Sequence, residues 1–412
     1  MTTTTYFRDS KVLRRLREGP LGVYIDFYAA RLLREGHCYQ SGARCIRVVA
    51  DFSRWLACKR LGIDDVDEHA VEQYQQFRAR YRHPFVSDRP ALYRLLAVLR
   101  EIGAITPQPP IVPGPLEQIE QDFERYLSQE RGLSGVTVIR HRPPLRKFLR
   151  EYGAEGSANF SELTGADITH FVERHAHDQS PRSAQCMCWT LRAFTRYLLY
   201  RGHITVDLAT AVPSVRTWRF GTLPGYLSPK QVQQVLDNCD RRSSIGKRDY
   251  AVLTLLVRLG LRANEIATLT LDDIDWHSSR LTVQGKGHRR ASLPLLSQAG
   301  TALADYLEHG RPPTNSRRAF VRSLAPHIGF ASSSGISMIA ASALTRAGLD
   351  VRRKGTHIFR HSLATQLLRA GASLMEIGQV LRHQDHDTTR IYAKVDIDAL
   401  RTLGLPWPGD VR

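Results

Sequence analysis

No run of 18 apolar residues occurs in the 412-residue chain, so the sequence offers no helix able to span a bilayer. The opening MTTTTYFRDSKVLRRLREG carries charges where a signal peptide needs an apolar stretch, and a reducing cytosol is the expected compartment. Cysteine is sparse. Cys38, Cys45, Cys58, Cys186, Cys188 and Cys239 form no CxxC pair, and the single residue between Cys186 and Cys188 is not zinc spacing. Free thiols are expected, without a disulfide framework. A G-x-x-x-x-G-K-[ST] loop is missing, which removes the usual cradle for ATP phosphates. Acidic residues are scarce too. Their one dense cluster, Asp272, Asp273 and Asp275, sits where a turn is expected, so these acids read as turn formers and no metal site is expected.

What is present is positive charge. Lys and Arg number 58 against 40 Asp and Glu, a formal net charge of +18. Such an excess suits a polyanion, with nucleic acid ahead of an anionic membrane surface. No lipidation signal or basic amphipathic tail supports the membrane reading. Hydrophobic residues make up 42% of the chain, enough for real cores, and the length allows two to four domains.

Two Pro-rich stretches punctuate the chain: TPQPPIVPGP at 106–115 and PSVRTWRFGTLPGYLSP at 213–229. Neither can continue a helix. The expected plan is a helical domain over 1–105 that serves as an extra DNA-binding module, a linker over 106–115 and a second helical domain over 116–212. A linker over 213–227, a third domain over 228–405 and a tail over 406–412 follow. The first two segments share an order: an amphipathic helix, a polar turn, a second helix with an aromatic apolar face, then a short acidic stretch and a third helix. Phe52, Trp55 and Leu56 hold the place of Leu145, Phe148 and Leu149. In RSAQCMCWTLRAFTRYLLYRG, Cys188, Leu191, Phe194 and Leu198 share one helical face. Arg182, Arg192, Arg196 and Arg201 on the remaining surface are read as phosphate-tracking.

The third segment reads as helices around a small antiparallel sheet. Ser228-Pro229 opens a helix, and Asp249–Leu259 is apolar enough for a core. Strands are expected at Arg280–Gln284 and Arg290–Leu293, around a Gly-Lys-Gly turn. Six residues stand out here: Arg262 in GLRANEIATL, Lys286 in VQGKGHRRASLPL, His357 and Arg360 in THIFRHSLAT, and His383 and Tyr392 in LRHQDHDTTRIYAKV. Cleaving a phosphodiester needs an in-line nucleophile, stabilisation of the equatorial oxygens and a proton for the leaving oxygen. Arginine forks can replace a metal in that task. Glu265 lies one helical turn from Arg262 and can brace it. Thr356 is a candidate N-cap before His357. His361 is expected to pack or to act behind the reacting groups.

This ordered set resembles the tyrosine recombinases, the phage-integrase family of DNA strand-exchange enzymes. The resemblance spans about residues 116–400. It implies a mainly α fold with a small antiparallel sheet, arranged as a multi-domain DNA clamp. It also implies that Tyr392 attacks the scissile phosphate, that Arg262, Arg360 and His383 hold its non-bridging oxygens, that His357 assists proton transfer and that Lys286 protonates the 5′ oxygen. Arg216, Arg219, Arg289 and Arg290 become further candidates for DNA contact. The implied partners are duplex DNA at specific sites and a homo-tetramer on two such sites, with or without other recombinases. No cofactor is implied, and the location is cytoplasmic, at the nucleoid in a bacterium. One departure stands out: most members carry Gly before the His where this chain has Arg382. Two other readings use the same residues, a type IB topoisomerase-like relaxing enzyme and a catalytically idle DNA-binding regulator.

Overall fold

The computed structural model describes residues 2–81, 83, 85–107, 113–154, 159–216, 225–285, 287, 289–383 and 386–395. Five α-helices come first: α1 (Ser10–Leu16), α2 (Ile25–Arg34), α3 (Tyr39–Cys58), α4 (Glu68–Ala79) and α5 (Asp88–Glu101). They close around their own core. On α3, Cys45, Ile46, Val49, Phe52 and Leu56 recur at helical spacing and are all buried. The Trp55 ring lies 5.9 Å from Phe52 and 5.7 Å from Tyr74. Burying each large apolar side chain contributes roughly 1.5–3 kcal/mol.

Four more helices follow: α6 (Pro115–Arg125), α7 (Gly135–Ala154), α8 (Gly165–Ala176) and α9 (Pro181–Tyr200). The likeness between the first two segments extends to helix length, since α3 and α7 have 20 residues each, and α4 and α8 have 12 each. Asp167 accepts from the Thr164 amide at 2.8 Å and so starts α8. Ser180 caps α9, with Pro181 at its first position. Cys188, Leu191, Phe194 and Leu198 of α9 are buried, and Phe194 meets Phe123 edge-on at 5.3 Å.

The remaining elements are α10 (Pro229–Asp237), α11 (Ser244–Leu259), α12 (Ala263–Thr268), β1 (Ile274–Asp275), β2 (Arg280–Gln284), β3 (Arg290–Pro294), α13 (Ser297–His309), α14 (Ser334–Arg346), α15 (His357–Arg369), α16 (Leu374–Leu381) and α17 (His386–Thr389). The fold is therefore mainly α with one three-stranded antiparallel sheet, ordered β1-β2-β3. Leu281 faces Leu293 and Val283 faces Ala291 across β2 and β3. Leu281 and Val283 are buried while Arg280 and Gln284 are exposed, the alternation that fixes register. Asp273 accepts from the Thr270 amide at 2.9 Å, and Asp275 accepts from the His277 and Ser278 amides at 3.0 Å each. Both acids thus serve turns. Thr356 departs from its expected role: it is buried, and its side chain makes no cap hydrogen bond.

The chain parts into two compact units, one of Pro109–Gly221 and one of Met1–Gln108 with Thr222–Arg412. Within the latter, the His327 amide donates to the Glu35 carbonyl at 3.2 Å. All six cysteines are free: Cys45, Cys188 and Cys239 are buried, Cys186 is half-buried, and Cys38 and Cys58 are exposed. No described helix is long and apolar enough to cross a membrane.

Candidate active site

Four helix ends meet to build the site. Helix α11 stops at Gly260, whose φ of +56° turns the chain back. Two residues on, Arg262 is the N-cap of α12. Helix α16 ends at Leu381, and Arg382 takes the left-handed conformation after it, with φ +55° and ψ +47°. The His383 amide then returns to the Gly378 carbonyl at 2.9 Å, which closes the helix end. Helix α15 starts at His357 and supplies Arg360 and His361 from its first two turns.

The arginines are held by these ends. Glu265 is 2% exposed and accepts from the Arg262 amide at 2.9 Å and from its guanidinium Nη1 at 2.8 Å. Arg262 Nη2 donates to the Arg382 carbonyl at 3.2 Å. Arg360, 5% exposed, donates through Nη1 to the Gly260 carbonyl at 2.5 Å and through Nη2 to the Leu381 carbonyl. The last carbonyls of a helix lack intrahelical partners and carry partial negative charge. Arg360 thus bridges the C-terminal ends of α11 and α16. Burial, then its neighbours Arg262 and Arg382, lowers its pKa to about 10. It stays charged at neutral pH.

Tyr392 lies near Arg360. It is 1% exposed and belongs to a small core with Ala364, Ile377 and Leu381. Burial pushes its phenol up to about 12, against the pull of Arg360. His361 Nδ1 sits 2.9 Å from the phenol oxygen. Burial, then His357 and Arg360, lowers the His361 pKa to about 4. The imidazole is therefore neutral near pH 7, and in its Nε2–H tautomer Nδ1 accepts the phenol proton. The His383 ring is parallel to Tyr392, with centroids 6.4 Å apart. Its Nδ1 lies 2.7 Å from Thr389 Oγ1. Burial, then Arg360 and Arg262, lowers its pKa to about 4 as well. His357 is exposed, with its ring 6.3 Å from that of His361.

Arg262, Glu265, His357, Arg360, His361, His383 and Tyr392 are therefore linked through direct contacts or shared neighbours. Lys286 falls outside the described residues. So does Arg219. Two participants escaped the sequence reading, and His361, expected to pack or to act behind the reacting groups, stands closer to the chemistry than that. Arg382 was noted as a departure, yet its Nη2 donates to Glu265 Oε2 at 3.0 Å. Thr389, 3% exposed, orients His383; the Thr-Thr pair just before Tyr392 was the available signal. His361 touches the phenol itself, one helical turn beyond His357 on the same face.

Among the candidate DNA contacts, Arg182, Arg196, Arg216, Arg289 and Arg290 are exposed. Two others are engaged within the protein. Arg192 donates to the Val212 and Pro213 carbonyls and to Ser214 Oγ at 2.9, 3.0 and 3.1 Å. Arg201 pairs with Glu130 and lies over the Tyr200 ring at 5.3 Å.

Residues 225–398 match the Phage integrase family, and residues 121–202 match the Phage integrase N-terminal SAM-like domain. The protein y4rA of Sinorhizobium fredii, which carries an integrase/recombinase designation, is 43% identical over 97% of this chain and 98% of its own length. Tyrosine recombinase XerC of Oceanobacillus iheyensis is 31% identical over 69% of this chain and 94% of its own. Among solved structures, XerH recombinase bound to its difH substrate shares the fold with a TM-score of 0.54 at 19% identity, over 69% of this chain and 83% of that one. With the site's residues and these relatives together, the chain belongs to the phage integrase family, the tyrosine recombinases.

Proposed function

We propose that this protein is a site-specific DNA recombinase working through a 3′-phosphotyrosyl intermediate. The observation that carries the reading is the gathering of Tyr392, His361, His383, Arg360 and Arg262 around these helix ends. Tyr392 attacks the scissile phosphate, and its proton passes to His361. The P–O bond to the 5′ oxygen breaks, and Lys286 protonates that oxygen. Arg262, Arg360 and His383 hold the non-bridging oxygens, with His357 aiding proton movement. A 5′ hydroxyl from a second strand then attacks the phosphotyrosine and releases Tyr392. The ester conserves the bond energy, so ATP is not needed, and fixed cations serve in place of a metal.

The domain plan drawn from the sequence fits this work. Residues 116–212 and 228–405 both bind duplex DNA, and four copies act on two sites, with or without partner recombinases. The segment 396–403, with Ile397, Leu400 and Leu403 at helical spacing, lies outside the described residues and is the proposed link between copies. The cytoplasm is the proposed location. Mobile-element integration, excision or transposition is the proposed outcome, supported by the integrase/recombinase designation of y4rA.

The test uses a substrate nicked beside the cleavage site, so that the 5′ fragment is lost and the covalent adduct accumulates. The native protein gives an adduct on a denaturing gel, with and without EDTA. Tyr392→Phe binds the site but gives none. An adduct from the Phe variant, or loss of the native adduct in EDTA, overturns the reading. Relaxation of any supercoiled plasmid, without need for a defined site, favours the topoisomerase-like alternative.

A further inference from the structure

The five-helix segment at the start of the chain holds a groove that the candidate active site does not use. Its volume is about 760 Å³, and Arg15, Arg44, Arg47, Arg54 and Arg78 line it together with Asp51 and Asp88. These charges divide into two sets. Arg54 donates to Asp51 at 3.1 Å, and Arg78 lies 3.4 Å from Asp88 with only 11% exposure. Those pairs cancel internally. Arg44 and Arg47 are exposed, one turn apart on α3, and no carboxylate pairs with either among the described residues.

Aromatic rings hold both of them instead. The Arg44 guanidinium carbon lies 4.4 Å from the Phe85 ring centre, and that of Arg47 lies 5.2 Å from the Phe7 ring centre. A ring face fixes the guanidinium plane but leaves its charge and most N–H groups unspent. Tyr39, 61% exposed, adds an uncovered ring to the same groove. Pre-aimed guanidinium edges beside an exposed ring suit phosphate oxygens and the sugars between them.

We propose that this groove is a second DNA-binding site, in which Arg44 and Arg47 hold neighbouring phosphates of one strand of duplex DNA. The proposal rests on the reading of the chain as a DNA recombinase. Residues 1–120 lie outside both family matches, so the contact adds to the family's own grip on DNA. Lys59 and Arg60 lie just past α3 and do not line the groove.

The experiment compares full-length protein with the double variant Arg44→Ala/Arg47→Ala and a charge-matched control, Lys59→Ala/Arg60→Ala. Affinity for site-bearing duplex DNA is measured against salt concentration, and the protected footprint is mapped. Each lost phosphate contact lowers the slope of log K against log salt by about 0.9. The groove variant should lose close to two units of slope and shorten its footprint at one end, while the control keeps both. Covalent adduct on the nicked substrate remains in the groove variant, which separates this site from the active site. Arg44→Lys/Arg47→Lys retains charge without the planar fork, so it should keep most of the slope and bind more weakly. Thermal melts report folding, since all four positions are exposed. An unchanged slope and footprint in a folded groove variant overturns the proposal. So does an equal loss in the control pair, or a defect confined to assembly between protein copies.

Discussion

Arg382 donates to Glu265 at 3.0 Å from a backbone position with φ +55°, while its own carbonyl accepts from Arg262 at 3.2 Å. One residue thus ties the buried carboxylate to the neighbouring arginine from both its side chain and its main chain. The left-handed conformation costs a non-glycine residue about 1–2 kcal/mol, and a buried charge-assisted hydrogen bond returns about 1.5–3 kcal/mol. Arg382→Ala should lose the bond and keep the strain, destabilising the fold by about 2 kcal/mol. Arg382→Gly should recover about 1 kcal/mol of that loss, because glycine adopts the conformation freely. Denaturant unfolding of both variants reads the difference. A glycine variant no more stable than the alanine one would show that the backbone carries no strain there.

His361→Ala should slow formation of the covalent adduct by about 10²-fold or more, the usual scale for a positioned proton acceptor. His361→Asn separates two roles, since an amide can hold the phenol hydroxyl but cannot take its proton. Recovery of near-native rates with Asn would make His361 a positioning residue for Tyr392. Native rates with Ala would remove it from the reaction. Single-turnover cleavage of the nicked substrate is the measurement.

These two contacts also mark where the sequence stops being informative. Local patterns were readable. The Ser228-Pro229 start, the β2–β3 hairpin, the buried face of α9 and the Arg262–Glu265 brace all depend on residues within one or two turns. The grip on Arg360 does not. Its partners are backbone carbonyls of residues 260 and 381, 100 and 21 positions away, and a carbonyl has no letter of its own in a sequence. Arg192 and Arg201 fail as free surface charge for a similar reason. Their partners, Val212 with Pro213, and Glu130, come from loops and helix ends that only folding brings near. Composition gives the net charge, but not which arginines are already engaged.

Stability should fall on mild acidification. His361 and His383 have folded pKa values of about 4, below the value near 6.5 expected in an unfolded chain. Between those limits the unfolded chain binds more protons than the folded one, so unfolding becomes easier as pH drops. The contribution is fully present above about pH 6.5 and is lost progressively toward pH 4. Each proton gives a slope of at most about 1.4 kcal/mol per pH unit. Urea unfolding at pH 7.5, 6 and 5 should show the decline, and His361→Asn should flatten it. A native protein equally stable at pH 7.5 and 5 would contradict a neutral, half-buried histidine pair.

Lys286 can be assigned by chemistry without reference to its geometry. The hairpin tip that carries it closes with the Gly285 amide donating to the Arg289 carbonyl at 2.8 Å, and Gly287 has a φ of +74°. The glycines that flank the lysine in the sequence carry no side chain to block close approach to DNA. If Lys286 delivers the proton to the departing 5′ oxygen, its loss matters only when that oxygen needs one. Sulfur leaves readily without protonation. Lys286→Ala should therefore slow cleavage of ordinary DNA by about 10²–10⁴-fold, the range for removal of a general acid. On DNA with a 5′-phosphorothiolate at the scissile bond, the same variant should approach the native rate. Arg289 and Arg290, exposed on the same turn and strand, supply the control. Their alanine variants should weaken DNA binding and act alike on both substrates. If Lys286→Ala also loses equally on oxygen and sulfur leaving groups, the lysine binds DNA and the proton comes from elsewhere.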